Sequence, residues 1–513
     1  MVRVLGTDEE GPDQMTTDQP TAKLAAVAIT AAVFATGCTL AIDRNDVQCT
    51  VDADCAVFGG HPVCQGSVCV ATGLGPPGCF LGEPTSQEEF ANRCSTSQTF
   101  QFDNCARLGL CDDGSLSAAW ASAVPPSGIG SGAAGGTQPV PVTNCADAGP
   151  NLIYVTGSTN LPPLLKAVQP LLSAGTPPYT VVFAPQTSCK GAAAAFDVSP
   201  SKHVISNVVN NAAFYYNAAG AQVLCLLSTA GDTVDVGESD VYPSTCGYAA
   251  TANVSDYPGP IQAITFVVPS ASKQIAISAE AAHLVFSSGG ASGRAAPWTD
   301  PRYFFVRSSG TGTTQIPSRA IGLDPTMWWG IDRVSAGNLV TQMESIDPNL
   351  TEDAIGVLSS DFADRSRANL RVLAFQQRGQ HYAYLPDSNP DASDKANVRD
   401  GHYPIWGAIH FMAATSNGVP SAAASALITQ FYVPKLEQSL VSAIVEAGFV
   451  PPCAMTVTHT AEVGPLTAFQ PKFACGCFYD KIVSTTTTCK ACEGPADCPS
   501  TAPACNYGYC ELQ

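Results

Sequence analysis

From Asn151 onward, short apolar runs alternate with stretches of helical periodicity. LIYV (Leu152 to Val155) reads as a buried strand, and the PPLLKAVQPLL segment after it as an amphipathic helix. YTVVFAP predicts a second strand, followed by an Ala-rich helix start after Gly191. TVDVGESDVYP carries Asp235, Glu238, Ser239 and Asp240 to the end of an apolar strand, and PIQAITFVVPS is another strand run. ISAEAAHLVFSSG predicts a helix capped by Ser278. Tyr303 to Val306 is a further buried strand that breaks at Arg307 into Ser308, Ser309, Gly310, Thr311, Gly312, Thr313 and Thr314, with a helix resuming after Gln315. A helix near Gly337 to Ser345 and the run DAIGVLSSDFA complete the series. Strands alternating with helices predict an α/β domain with mostly parallel sheets, in which ligands sit off the carboxyl ends of strands. Three Ser/Thr/Gly loops occupy such ends, after Thr156, after Gln186 and after Arg307. Their backbone N–H groups and hydroxyls suit an anion, and Arg307 adds a permanently charged fork. The plainer readings are a helix cap for the Gly-rich loop, an Asx turn for Asp240 and a surface ion pair for Arg307.

Composition extends this picture at both ends. The 513 residues are 45% hydrophobic and hold enough apolar mass for more than one core. The formal charge of -19 excludes non-specific nucleic-acid binding, which needs clustered Lys and Arg. The 21 Cys are too many for a typical cytosolic enzyme and predict disulfides in an oxidising compartment. Cys49, Cys55, Cys64 and Cys69 are spaced much like Cys492, Cys498, Cys505 and Cys510, with five, eight and four residues between them against five, six and four. This internal repeat predicts two small modules, each stapled by two disulfides, with zinc binding as the alternative. Val124 to Val142, rich in Pro, Gly, Ala and Ser, reads as a linker. The acid-rich run PDSNPDASDKANVRDGHYPIWG lacks the spacing of a calcium loop. No G-x-S-x-G elbow stands between a strand and a helix, so no enzymatic activity and no cofactor are expected.

Two resemblances sharpen these expectations. Lys23, the apolar stretch LAAVAITAAVFATG and Cys38 resemble a bacterial lipoprotein signal, with Met15 as a second possible start. That implies export and lipidation of Cys38, leaving twenty Cys for ten disulfides. TGSTNLPPLL, PQTSCKG, DVGESDVYP, GPIQAITFVVP, VRSSGTGTT, AIGVLSSDFA and NVRDGHYPIWG, in this order, resemble the periplasmic phosphate-binding protein family. The resemblance implies a two-lobed type II periplasmic-binding-protein fold with a hinge, closing on an oxyanion, phosphate first. It implies chain crossings near Ile261 to Pro269 and near Ala354 to Ser360. It implies ligand contacts from Ser158, Thr159, Ser188 (or Cys189), Asp240, Arg307, Thr311, Gly312 and Thr313, with Asp240 accepting a hydrogen bond from the protonated oxygen of a monohydrogen oxyanion so that sulfate is penalised. Ser309 departs from the family, which commonly has an Asp there to hold the Arg. Cys189 departs as well, and pairing with Cys225 or Cys246 would remove its sulfur as a donor. The expected organisation is a signal region at 1–38, a Cys-rich module at 39–72, a Cys-containing segment and linker at 73–147, the two-lobed domain at 148–455 and a second Cys-rich module at 456–513. The expected partners are an oxyanion, an ABC-transporter permease and, through the lipid, a membrane. The competing expectation is a cell-surface interaction protein that keeps the fold without the ligand.

Overall fold

The computed structural model describes residues 79–110, 143–205, 211–291, 293–484 and 487–512, and the backbone of 63–65, 68–70 and 74–75. Cys38, the side chains of the first Cys-rich repeat and the linker from Val124 to Val142 lie outside the described residues. The chain divides into two compact units, Met1–Thr72 and Gly73–Gln513. In the first, Val63–Gln65 and Val68–Val70 pair as an antiparallel hairpin. Among the described residues no helix is long and apolar enough to cross a membrane.

The second unit is built on a 12-stranded sheet. The first lobe contains β1 (Leu152–Ser158), α1 (Pro162–Ala174), β2 (Thr180–Gln186), α2 (Ser188–Phe196), β3 (Ala212–Tyr216), β4 (Gln222–Leu226) and β5 (Val236–Ser239). The strand β6 (Val254–Pro269) leads to α3 (Ala279–Ser288), β7 (Phe304–Val306), α4 (Gly312–Ile321), β8 (Ile331–Asp332), α5 (Ala336–Glu344), β9 (Ile355–Ser359), α6 (Ser360–Arg365) and β10 (Leu370–Val372) in the second lobe, before β11 (Trp406–Ser416) returns. The sheet order is β4-β3-β2-β1-β5-β11-β6-β9-β7-β8. β1 runs parallel to β2 and β5, and β7 parallel to β8 and β9. Strands covered on both faces need apolar residues throughout, and the unbroken runs at Ile153 to Val155 and Phe304 to Val306 answer that need. The expected two-lobed α/β architecture, flanked by disulfide-rich segments, is therefore present.

β6 is the crossing strand. It pairs with β11 from Val254 to Ala263, then with β9 from Ile264 to Val267 and β10 from Val267 to Pro269. The expected second crossing at Ala354 to Ser360 is corrected: Ile355–Ser359 is β9, inside the second lobe between β6 and β7. The chain returns at Trp406, where β11 pairs with both β6 and β5. An apolar run followed by a Ser-rich loop looks alike in a crossing strand and in a buried lobe strand, so only pairing distinguishes them. α4 also begins four residues before the expected point, at Gly312, because the Gly/Thr loop itself winds into the first turn.

The flanking segments pack onto the lobes. Thr99–Phe100 pairs with Ala383–Tyr384 at the edge of a small sheet, and the Tyr507 hydroxyl donates to the Leu436 carbonyl at 2.9 Å. Disulfides join Cys79 to Cys94, Cys145 to Cys225, Cys189 to Cys246, Cys453 to Cys475, Cys477 to Cys489, Cys492 to Cys505 and Cys498 to Cys510. Such a density belongs to an oxidising, extracytoplasmic compartment. The sulfurs of Cys492, Cys498 and Cys510 lie within 4.8 Å of one another. All three are in disulfides, which leaves no thiolate for zinc in this C-terminal module.

Glu511 gives this C-terminal segment a pH response. Its carboxylate accepts the Cys477 N–H at 2.7 Å, yet burial pushes its carboxyl up to about 7. An unfolded Glu titrates near ~4.3, so the native state holds the extra proton between those values and stability falls as pH rises through that window. Thermal unfolding followed from pH ~4.5 to ~7 should show a loss on the order of 2 kcal/mol, flattened in Glu511→Gln. An unchanged slope in the variant would assign the proton to another group.

Candidate functional site

The carboxyl ends of β1, β2, β5 and β7 converge where the lobes meet. Ser158 closes β1, Thr187 caps α2 by accepting the Lys190 N–H, Asp240 follows β5 and Arg307 follows β7. The Cys189–Cys246 disulfide ties the first turn of α2 to the turn after Asp240, holding Ser188 beside that carboxylate. Cys189 is thus a staple, and its sulfur is not available as a donor.

Asp240 is the hub of the first lobe. Its Oδ2 accepts from the Ser158 hydroxyl at 2.5 Å, the Asn160 amide at 3.1 Å and the Ser188 hydroxyl at 3.2 Å. Burial raises its carboxyl, and the three donors pull the other way. The Asn160 amide also donates to Gln262 Oε1 at 3.0 Å, and Gln262 Nε2 donates to Asp361 Oδ1 at 3.1 Å, so a buried polar chain passes through the crossing strand. Two glycines give the carboxyls room. A Cβ on Gly157 would lie 2.4 Å from Glu238 Oε2, and one on Gly312 would lie 2.4 Å from Asp240 Cβ.

The second lobe brings Arg307, which is only 4% exposed. Its Nη2 donates to the Val334 carbonyl at 2.8 Å and to the Thr159 hydroxyl at 3.3 Å, while its Nε has no partner. Among the described residues no carboxylate lies within ion-pair distance of it. The nearby Asp332 is bound to the Val334 N–H at 2.8 Å. Val334 adopts φ 60°, a strained conformation for a β-branched residue, and its carbonyl is turned onto the guanidinium. Burial lowers the Arg307 pKa, with Asp332 and Asp240 acting in the opposite direction. Ser309 lends no acid; its carbonyl accepts from Gln315 at 2.5 Å.

The lobes touch through these loops. The Gly312 N–H donates to Ser188 Oγ at 2.8 Å, and the Cys189 N–H donates to the Gly310 carbonyl at 3.1 Å. Of the expected contact residues, the structure gathers Ser158, Thr159, Ser188, Asp240, Arg307 and Gly312, and it places Thr313 buried in the first turn of α4. Thr311 is engaged within its own loop: its N–H and hydroxyl both donate to the Ser308 carbonyl. Asn160, Glu238 and Gln262 were not among the expected contacts. Glu238 was legible, because its i, i+2 spacing from Asp240 on a strand puts both on one face.

No family model matches the chain, and no curated protein matches it. Among solved structures it is similar to a putative phosphate ABC transporter substrate-binding protein with bound phosphate from Clostridium perfringens, at 11% identity and a TM-score of 0.39, covering 59% of this chain and 99% of that one. It is similar to an ABC-type phosphate transport receptor from Vibrio cholerae at 13% identity and a TM-score of 0.37, covering 58% and 100%. It is also similar to the reduced form of the OxyR regulatory domain from Pseudomonas aeruginosa, at 11% identity and a TM-score of 0.30, covering 54% and 96%.

Proposed function

We propose that this chain is an extracytoplasmic solute-binding protein that captures an inorganic oxyanion, phosphate foremost, between its lobes. The observation that carries the reading is Arg307, a buried guanidinium whose hydrogen-bond partners are neutral oxygens. A buried charge without a counter-ion is costly, and an anion bound beside it would offset that cost. The Gly312 and Cys189 N–H groups, which bond across the lobes to Ser188 Oγ and the Gly310 carbonyl, are uncharged donors that can replace the ligand's hydration. Ligand entry exchanges the Gly312–Ser188 and Cys189–Gly310 bonds across the lobes for bonds to the oxyanion, which couples binding to hinge closure on β6. Lipidation at Cys38 and delivery to an ABC-transporter permease belong to the same proposal and rest on the signal-like N-terminus.

The direct bonds between the loops favour a second reading, a surface interaction protein in which the lobes are latched and bind nothing. Calorimetric titration of the exported chain with phosphate, sulfate and arsenate separates the two. Micromolar or tighter oxyanion binding supports capture. No heat from any of the three ions, in a cooperatively melting sample, supports the latched interaction protein.

A further inference from the structure

Glu238 is a second carboxyl inside the same site. It is 0% exposed, and Asp240, two residues on along the same strand face, is 1% exposed. One oxygen of each is satisfied: Glu238 Oε2 accepts the Ser158 N–H at 2.6 Å, and Asp240 Oδ2 accepts its three donors. The other two oxygens, Glu238 Oε1 and Asp240 Oδ1, are buried without a partner. Among the described residues neither carboxyl takes part in an ion pair. The titratable groups around them are Arg307 from the end of β7 and, beyond Gln262, Asp361 from α6. Two adjacent carboxylates in a dry site cannot both ionise, and two orphaned acceptors are resolved by one proton between them. Burial and the neighbouring Asp240 carboxyl push Glu238 well above the ordinary carboxylate range, which assigns the proton to Glu238.

We infer that Glu238 and Asp240 share one proton, and that this internal proton takes the place of the one an oxyanion ligand would otherwise have to bring. An aspartate with a free oxygen accepts a hydrogen bond from the hydroxyl of monohydrogen phosphate and repels a fully deprotonated anion. Here Glu238 fills that role, so the site does not distinguish ligands by their protonation. This replaces the expectation that sulfate is penalised, and it rests on the oxyanion reading above.

The test uses the exported chain, with phosphate and sulfate titrated at neutral pH. The wild type should bind the two ions within about tenfold of each other, whereas a site that requires a particular ligand hydrogen bond discriminates by about 10⁴-fold or more. Glu238→Gln keeps an N–H donor toward Asp240 and should keep the ratio. Glu238→Ala frees Asp240 Oδ1 and should shift the ratio toward phosphate by about 10- to 100-fold. A wild type that strongly prefers phosphate, with the preference unchanged in Glu238→Ala, overturns the inference. A second readout needs no ligand: the infrared carbonyl absorption of protonated carboxyls at neutral pH should lose one band in Glu238→Gln, over the absorption that Glu511, its carboxyl pushed up to about 7, contributes to both proteins. An unchanged band overturns the shared proton. Loss of the band in a protein that binds neither ion refutes the oxyanion reading and the selectivity drawn from it, and leaves the shared proton established.

Discussion

Arg307→Met is expected to abolish oxyanion binding and to leave the fold as stable as before or slightly more so. Truncating one partner of a buried, hydrogen-bonded charge pair costs about 2–5 kcal/mol, which raises Kd by roughly 30- to 5,000-fold. The fold should tolerate the change because the guanidinium is held by the Val334 carbonyl and the Thr159 hydroxyl, with no carboxylate to strand. Its desolvation is offset in the free protein only by two neutral hydrogen bonds and the fields of Asp332 and Asp240, and methionine fills much of its volume without that cost. Titration calorimetry and thermal unfolding on the same samples read both halves. Unaltered affinity would remove Arg307 from the site. Lost binding accompanied by a large drop in Tm would make it a structural residue.

Lys395→Met is expected to destabilise the fold by about 3–5 kcal/mol. The Lys395 ammonium is buried, 3% exposed at its side chain, and donates to Asp364 Oδ2 at 2.7 Å and to both oxygens of Asp387 at 2.9 and 3.1 Å. Arg367 bridges the same two acids at 2.6 and 2.9 Å. Burial opposes the charge on Lys395, but Asp387 and Asp364 outweigh it and hold its pKa above the ordinary value. Removing the ammonium leaves Asp387 buried with half its partners, and breaking such a pair costs about 3–5 kcal/mol. Urea unfolding with the disulfides intact should show that loss, and Lys395→Met combined with Asp387→Leu should recover part of it. A double variant no better than the single one would show that the loss comes from packing rather than from the stranded carboxylate. The acid-rich run around Asp387 and Asp394 thus has an internal cation for Asp387, while Asp394 accepts from Ser388.

The chain by itself determined the elements, the compartment and the hub residues. Unbroken apolar runs specify strands covered on both faces, and Ser/Thr/Gly loops after them place donors at carboxyl strand ends whatever the lobe geometry. The near-repeat of Cys spacings at the two termini foretold small stapled modules, and in the C-terminal one the two disulfides are seen. Asp240 and Arg307 could be singled out because each stands at the carboxyl end of an apolar strand run. Tertiary structure decided the rest. Which strand crosses between the lobes depends on pairing across the sheet, and this moved the return from Ala354–Ser360 to Trp406. Whether Cys189 is a donor or a staple depends on a partner 57 residues away. The role of Glu238 depends on burial, because a carboxyl that would ionise freely in water must share a proton when it is packed beside Asp240 with no ion pair among the described residues. Local pattern carries propensity and periodicity; solvent exclusion and long-range pairing exist only once the chain has closed on itself.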